Sequence, residues 1–368
     1  NYFTDLPYQL MPLSTFNPTA PEGQFKEAQF GVPHNMSAYI QFAMPLYNPQ
    51  IYGAIKTSKI AADLTDLQYK KTEEQVYFDI SNMYFNIQIL QHQLAFIDSN
   101  IVNTTKLLGN MQLLRKQLMV KDTDVSKVEL QKDQLLTQRD IVANNIEQLM
   151  NALKFSMGLP ISQSLEINRE IHSAIINEYS NEPNIDIQLA STQNRMLSSE
   201  LRALMYSRLP SVSLYGSYGQ IGFGYDKKPN DFLKFFPTSF VGIQLSFPLF
   251  NGTVTYRKIN QKKIEIQNNE LQINLIKDQT SLHIENATNR LILLQKTMGN
   301  NITQIDLAGK VYKQMIIQQK EGTTSLTDVL LADNALREAQ QTYLSTVVDF
   351  LKTDLELKKL TGNILLKN

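Results

Sequence analysis

Two stretches of this sequence, about 50–118 and about 252–319, keep a helical pattern for close to 70 residues each, with neither a proline nor an internal break. Helices in globular domains average about 11–12 residues. At about 1.5 Å rise per residue, such a stretch is a rod of about 105 Å, far outside the range of an ordinary single-core domain. Each rod runs into a short turn, "VKDTD" at 120–124 or "KEGTTS" at 320–325, and then into a second helical stretch, 124–157 or 325–361. The second stretches carry heptads. Val329, Leu336, Tyr343, Phe350 and Leu357 recur every seven residues, joined by Leu326 and Val347. Val128, Leu135, Val142 and Leu149 do the same, flanked by Val125, Ile146 and Leu153. An apolar repeat of seven keeps its seam on a partner helix only if the helices supercoil.

The chain repeats itself around these rods. "YIQFAMPLYNP" at 39–49 returns as "GIQLSFPLFNG" at 242–252, with Ile40, Gln41, Pro45, Leu46 and Asn48 each recurring 203 positions later. Leu6-Pro7 matches Leu209-Pro210, the turn phrases align at a spacing near 201, and Gly158 matches Gly362. An internal duplication follows: a first repeat at 1–158, a linker at 159–183, a second repeat at 184–362 and a tail at 363–368. Strands are expected at 7–13, 37–47, 210–222 and 239–249, with a loop over 14–36, a helix at 184–206 and a short helix around 169–179. The helix that should precede Leu6-Pro7 is expected upstream of Asn1, in a mature or trimmed chain.

The strand readings rest on a period of two. Val241, Ile243, Leu245, Phe247 and Leu249 face one way, and Gly242, Gln244, Ser246 and Pro248 the other. Pro45 and Pro248 mark the handover from strand to helix, since proline ends ladder pairing. Asn48 and Asn251 follow as N-caps. Tyr215, Tyr218, Phe223 and Tyr225, with Phe235 and Phe236 nearby, suit a membrane-interface belt beside an outer loop.

Charge balance narrows the function. With 35 basic and 35 acidic residues among 368, the chain lacks the basic excess of a nucleic-acid binder. No run of about 18 apolar residues makes a membrane helix, but barrel strands are short and only half apolar. Cysteine is absent, so there is no disulfide framework or thiolate metal site. His34, His92, His172 and His283 share no ligand spacing, and no Ser/His/Asp set, phosphate loop or H-E-x-x-H run appears. The expectation is a protein that is not an enzyme and carries no metal or cofactor.

Strands of this kind sit with one face in lipid and the other in water. Four are too few: the smallest membrane barrels have eight, and an open edge is not tolerated in lipid. Two copies would supply eight strands and three would supply twelve. Eight leave an interior filled by side chains, so a channel favours three copies. The helical hairpins would then hang from one rim as a tube of about 100 Å. The expected fold is therefore mainly α with a shared membrane β-barrel.

At this point a family resemblance becomes specific. "LPSVSLYGSYG" (209–219), "GIQLSFPLFNG" (242–252) and "EGTTSLTDVLLADNALREAQQTYLSTVVDFLKTDLELKKLTG" (321–362) resemble the TolC-type outer-membrane efflux protein family over nearly the whole chain. The resemblance implies a homotrimer with a twelve-stranded barrel in outer-membrane lipid and an α-helical tunnel in the periplasm. The tunnel would be closed at its periplasmic end until a periplasmic adaptor and an inner-membrane pump engage it. It also implies an acidic ring at the entrance, matched here by Asp328. A second ring acid three residues on is replaced by Leu331, and Asp333 points elsewhere. The plain alternative for Asp328 is a solvated first-turn acid favoured by the helix dipole, and that reading is preferred for Asp122 and Asp124 at the other tip. Gly322 suits a left-handed C-cap, and the resemblance adds adaptor contact at Gly322, Thr323 and Thr324. Gly109 and Gly309 permit close packing or a bend. The competing function is a periplasmic coiled-coil scaffold or adaptor. An adaptor should carry a lipoyl-like motif between its helices and no duplicated strand pair.

Overall fold

The computed structural model describes residues 8–21, 23–29, 31–171, 183–224 and 234–364. Leu6, Pro7, His172, Tyr225 and positions 172–179 of the expected short helix lie outside these, and positions 169–171 are not helical. In chain order the elements are β1 (Tyr8–Pro12), a 3-10 turn (Leu13–Thr15), β2 (Phe25–Gln29), β3 (His34–Tyr47), α1 (Pro49–Lys116), α2 (Asp122–Ser156), α3 (Ile185–Tyr206), β4 (Ser211–Gly224), β5 (Lys234–Ser246), α4 (Val254–Lys320) and α5 (Leu326–Leu360). They form two compact units, one of Asn1–Ile60 with Arg195–Gln267 and one of Ala61–Asn194 with Asn268–Asn368.

The first unit holds the strands. β3, β4 and β5 make one antiparallel sheet in that order. The strand expected at 7–13 does not join it. β1 pairs instead with β2 in a separate two-stranded sheet, and β2 itself falls in the stretch expected to be loop. β5 leaves the ladder at Ser246, opposite Ser211. Pro210, just before β4, offers no N–H to extend it, so the strand expected to reach 249 stops three residues short. β3 instead stays paired through Pro45, with a register shift between Pro45 and Tyr47.

The register sorts the sheet into two faces, because directly opposed residues share a face. On one lie Met44, Leu214 and Ile243, then Phe42, Gly216 and Val241, then Ile40, Tyr218 and Ser239. On the other lie Ser213, Ser217, Gln41, Ser37, Thr238 and Gln244 among aromatic rings. Ile40, Val241, Ile243 and Leu245 of the apolar face are largely exposed in a single copy. Gly216 is required by its neighbour: a Cβ there would sit 2.4 Å from the Phe42 ring. The cross-strand ring covers the glycine.

The second unit is held by three apolar clusters along the helices. Ile97, Leu135 and Val142 tie α1 to α2. Ile89, Ala287, Leu291, Leu344, Val347 and Phe350 tie α5 to α4 and α1. Near the hairpin tips Leu108, Met111, Val125, Val128, Tyr312, Val329 and Leu336 bring all four helices into one cluster. The heptad positions Val128, Leu135, Val142, Leu336, Phe350 and Leu357 are buried. Gly109 meets nothing within 4 Å and Gly309 only Leu336 at 4.0 Å, so neither marks a close approach, and both helices run through them unbroken. The close approach is in the first unit, at Gly53, where a Cβ would come within 2.7 Å of that of Ala203 on α3.

Candidate functional site

The tip of each hairpin is built by the same backbone device. α4 ends at Lys320 and Gly322 turns left-handed at φ 71°. The Gly322 N–H then donates to Gln319 at 3.1 Å and the Thr323 N–H to Gln318 at 2.9 Å. This pair of bonds is the Schellman closure, which satisfies carbonyls the helix leaves open. α1 ends at Lys116 with the same closure, Leu118 N–H to Arg115 at 2.8 Å and Met119 N–H to Leu114 at 3.0 Å. Here the left-handed residue is Leu118, at φ 59°. The turns correspond at a spacing of 204, not 201: α2 and α5 both have 35 residues and start at Asp122 and Leu326. Asp124 therefore corresponds to Asp328, and the glycine position of the second tip is taken by leucine in the first.

The second tip carries a complete capping box. Ser325 Oγ accepts from the Asp328 N–H at 3.2 Å, and the Asp328 carboxylate accepts from the Ser325 N–H at 3.2 Å. The hydroxyls of Ser325 and Thr324 also donate to it, at 2.6 and 3.1 Å. These donors hold the Asp328 carboxyl below its ordinary value, the Ser325 hydroxyl first, then the Ser325 backbone and Thr324. The first tip lacks such a box: its N-cap is Lys121, with no side-chain bond to the backbone. Asp122 pairs with Arg115 back across the turn, and Asp124 accepts from Lys127 at 3.2 Å. Thr323 Oγ1 donates to the Gln318 carbonyl at 3.0 Å, so it belongs to the turn.

One cluster at the tips has no counterpart in the sequence reading beyond Asp333 itself. Asp333 is 2% exposed. Its Oδ2 accepts from Gln131 of α2 and from Arg337 one turn along α5, while Oδ1 has no partner. Burial raises the carboxyl above its ordinary value against the pull of Arg337. Burial, with the Asp333 carboxylate close by, pushes the Tyr312 hydroxyl up to about 12. The signal that would have found it is an Asp and an Arg four apart beside the apolar seam residues Val329 and Leu336.

No family model matches the chain. It is 22% identical over 349 residues to outer membrane protein TolC of Vibrio cholerae, covering 89% of this chain and 77% of that protein. It is 19% identical over 360 residues to TolC of Escherichia coli, covering 89% and 69%. Among solved structures, the outer membrane protein VceC of Vibrio cholerae superposes with a TM-score of 0.76 at 14% identity, over 97% of this chain and 85% of that one. The Campylobacter jejuni CmeC outer membrane channel gives 0.73 at 14% identity, over 97% and 76%. In sequence and in fold the chain is similar to the TolC-type outer-membrane proteins.

The outer membrane is accordingly its location. Among the described residues no helix is long and apolar enough to cross a membrane. At the strand–helix junction, Asn48 Oδ1 accepts from the Gln50 N–H at 3.0 Å, one position past Pro49, the first helical residue. That is an N-cap with proline at N1. Asn251 differs. Gly252 and Thr253 both turn left-handed, at φ 62° and 67°, so α4 starts three residues later, and the Asn251 amide donates to the Thr255 hydroxyl. Pro248 lies outside β5, Pro45 inside β3. Parity also divides the aromatic belt. Tyr218 lies on the apolar face, but Tyr215 and Phe223 lie on the opposite face with Phe240 and Phe236. Tyr215, Tyr218 and Phe223, expected together as a belt, therefore do not share one face of the sheet. Among the described residues no group of three His, Cys, Asp or Glu is placed to hold a metal.

Proposed function

We propose that the chain is an export duct: three copies close a barrel in the outer membrane and continue as a helical tunnel in the periplasm. The observation that carries this reading is the two-faced sheet, apolar on one side and polar on the other, which suits a wall between lipid and water. Among the described residues its edges, β3 and β5, have no strand partners beyond β4. Open edges are not tolerated in lipid, so other copies must close them. A twelve-stranded barrel needs four strands per copy, and the β1–β2 ribbon is the source of the fourth. The matched 35-residue helices and the paired Schellman closures support an internal duplication. Each copy brings two hairpins to the tube.

In this reading the tips form the periplasmic entrance. Three Asp328 carboxylates around the axis attract cations, and the cap donors keep them ionised. Gly322, Thr323 and Thr324 form the turn offered to a periplasmic adaptor that couples the duct to an inner-membrane pump. The cargo is small molecules or proteins delivered by that pump. The test is conductance of the purified protein in planar bilayers. The expected channel is small and cation-preferring, and Asp328→Asn, which leaves an acceptor oxygen for the cap, reduces the preference. Anion preference, or failure to insert at all, refutes the duct. An unchanged preference in the variant removes Asp328 from the ring.

A further inference from the structure

The polar face of the sheet has an internal order that neither the fold nor the duct reading requires. Read away from the helix junction, its rows are Ala43–Tyr215–Gly242, Gln41–Ser217–Phe240, Tyr39–Gly219–Thr238, Ser37–Ile221–Phe236 and Asn35–Phe223–Lys234. Each of the five rows has a single aromatic ring, and the ring moves between strands from row to row. Successive rings touch at two of the steps. Tyr215 and Phe240 meet edge to face at 5.7 Å, and Phe223 and Phe236 lie 6.2 Å apart. Small neighbours make room for the rings: a Cβ on Gly242 would lie 3.0 Å from the Tyr215 ring, and one on Gly219 2.6 Å from that of Tyr39. None of the rings is buried, and they expose from 38% to 52% of their surface. The one charge in these rows is Lys234, at the far end. Eight residues along a strand at about 3.4 Å each set the first and last rows about 27 Å apart, about the thickness of a bilayer's hydrocarbon core.

We propose that this ladder is a track for aromatic solutes along the inner wall of the barrel. The proposal rests on the duct reading, in which the polar face lines water. Rings exposed at every row offer a solute a new stacking partner before it leaves the last one. An aromatic cation is held by edge contacts and by the negative faces of the rings, while an aliphatic cation of equal charge has only the second. No single row binds strongly, so passage continues.

The experiment measures single-channel block in planar bilayers by methyl viologen, a planar aromatic dication, against hexamethonium, an aliphatic one. Both are added on the side opposite the helix tips. Methyl viologen is expected to block roughly tenfold more tightly. Phe240→Leu and Tyr39→Leu, which keep apolar volume and remove the ring, should each weaken methyl viologen block about three- to tenfold and hexamethonium block by a smaller factor, since it loses only the contact with the ring face. Phe42→Leu, on the apolar face, should alter neither. Equal block by the two dications, or block indifferent to both ring removals, overturns the track. A wild-type protein that inserts but never conducts overturns the duct reading itself.

Discussion

The two tips differ at one position in a way that gives opposite, calculable effects. Leu118 and Gly322 hold the same left-handed place in matching closures. Leu118 is 94% exposed, so trimming its side chain removes almost no burial. An L-residue in the left-handed region costs roughly 1–2 kcal/mol, and glycine essentially nothing. Against this, glycine frees the unfolded chain, which costs about 0.4–1 kcal/mol. Leu118→Gly should therefore stabilise the first tip by about 0.5–1 kcal/mol. Gly322→Leu should destabilise the second by a similar amount. Amide hydrogen exchange reads both tips separately, at the Met119 N–H on Leu114 and the Thr323 N–H on Gln318. With 1.4 kcal/mol to a decade, Met119 should exchange about two- to fivefold more slowly in Leu118→Gly, and Thr323 faster by a like factor in Gly322→Leu. The same sign for both substitutions would falsify the argument, since only the residue in a shared geometry changes.

Four further outcomes follow from the same geometry. Ser325→Ala, which removes the cap, should cost about 1 kcal/mol, and Lys121→Ser at the uncapped tip should gain about 0.5–1 kcal/mol, both read by urea unfolding of the detergent-solubilised protein. The folded-state pKa of Asp333 lies above its ordinary 3.8, so its contribution is most favourable below 3.8, weakens as pH rises through the raised value and then levels; Asp333→Asn should flatten that part of the stability–pH curve. Asp328 has the opposite sign: its contribution is present above 3.8 and lost as pH falls through its lowered folded value, visible as loss of exchange protection at the Ser325 N–H, which donates to the carboxylate. Gly216→Val should prevent sheet assembly by driving a methyl into the Phe42 ring, with Phe42→Ala restoring heat-resistant protein on gels; no rescue would move the fault elsewhere.

Much of the helical architecture was legible because few alternatives suit its signals. Seventy residues without proline, closed by heptads such as Val128, Leu135 and Val142, fix rods and hairpins to within a few residues. The sheet was half legible. Alternation at 241–245 gave the apolar face directly, but Phe25–Gln29 (FKEAQ) carries no alternation of period two, so the β1–β2 ribbon did not show. Tyr215 and Phe223 were grouped with Tyr218 by closeness along the chain, although the period of two separates them. Asn251 carried an N-cap signal that the left-handed Gly252 and Thr253 overrode. Asp333 was read only as an acid pointing away from the entrance; its burial did not show because one of its partners, Gln131, lies on another helix.

The equal lengths of α2 and α5 have an implication for how such a protein can change. A helix advances about 1.5 Å and turns about 100° with each residue. One residue lost from a single arm therefore moves its tip along the axis and swings its apolar seam off its partner. Lengths can drift only in whole heptads, and only when both arms of both hairpins change together. The molecule is a gauge with coarse graduations of about 10 Å. Variants that remove seven residues from each of the four helices should fold and be shorter, while single deletions should not fold.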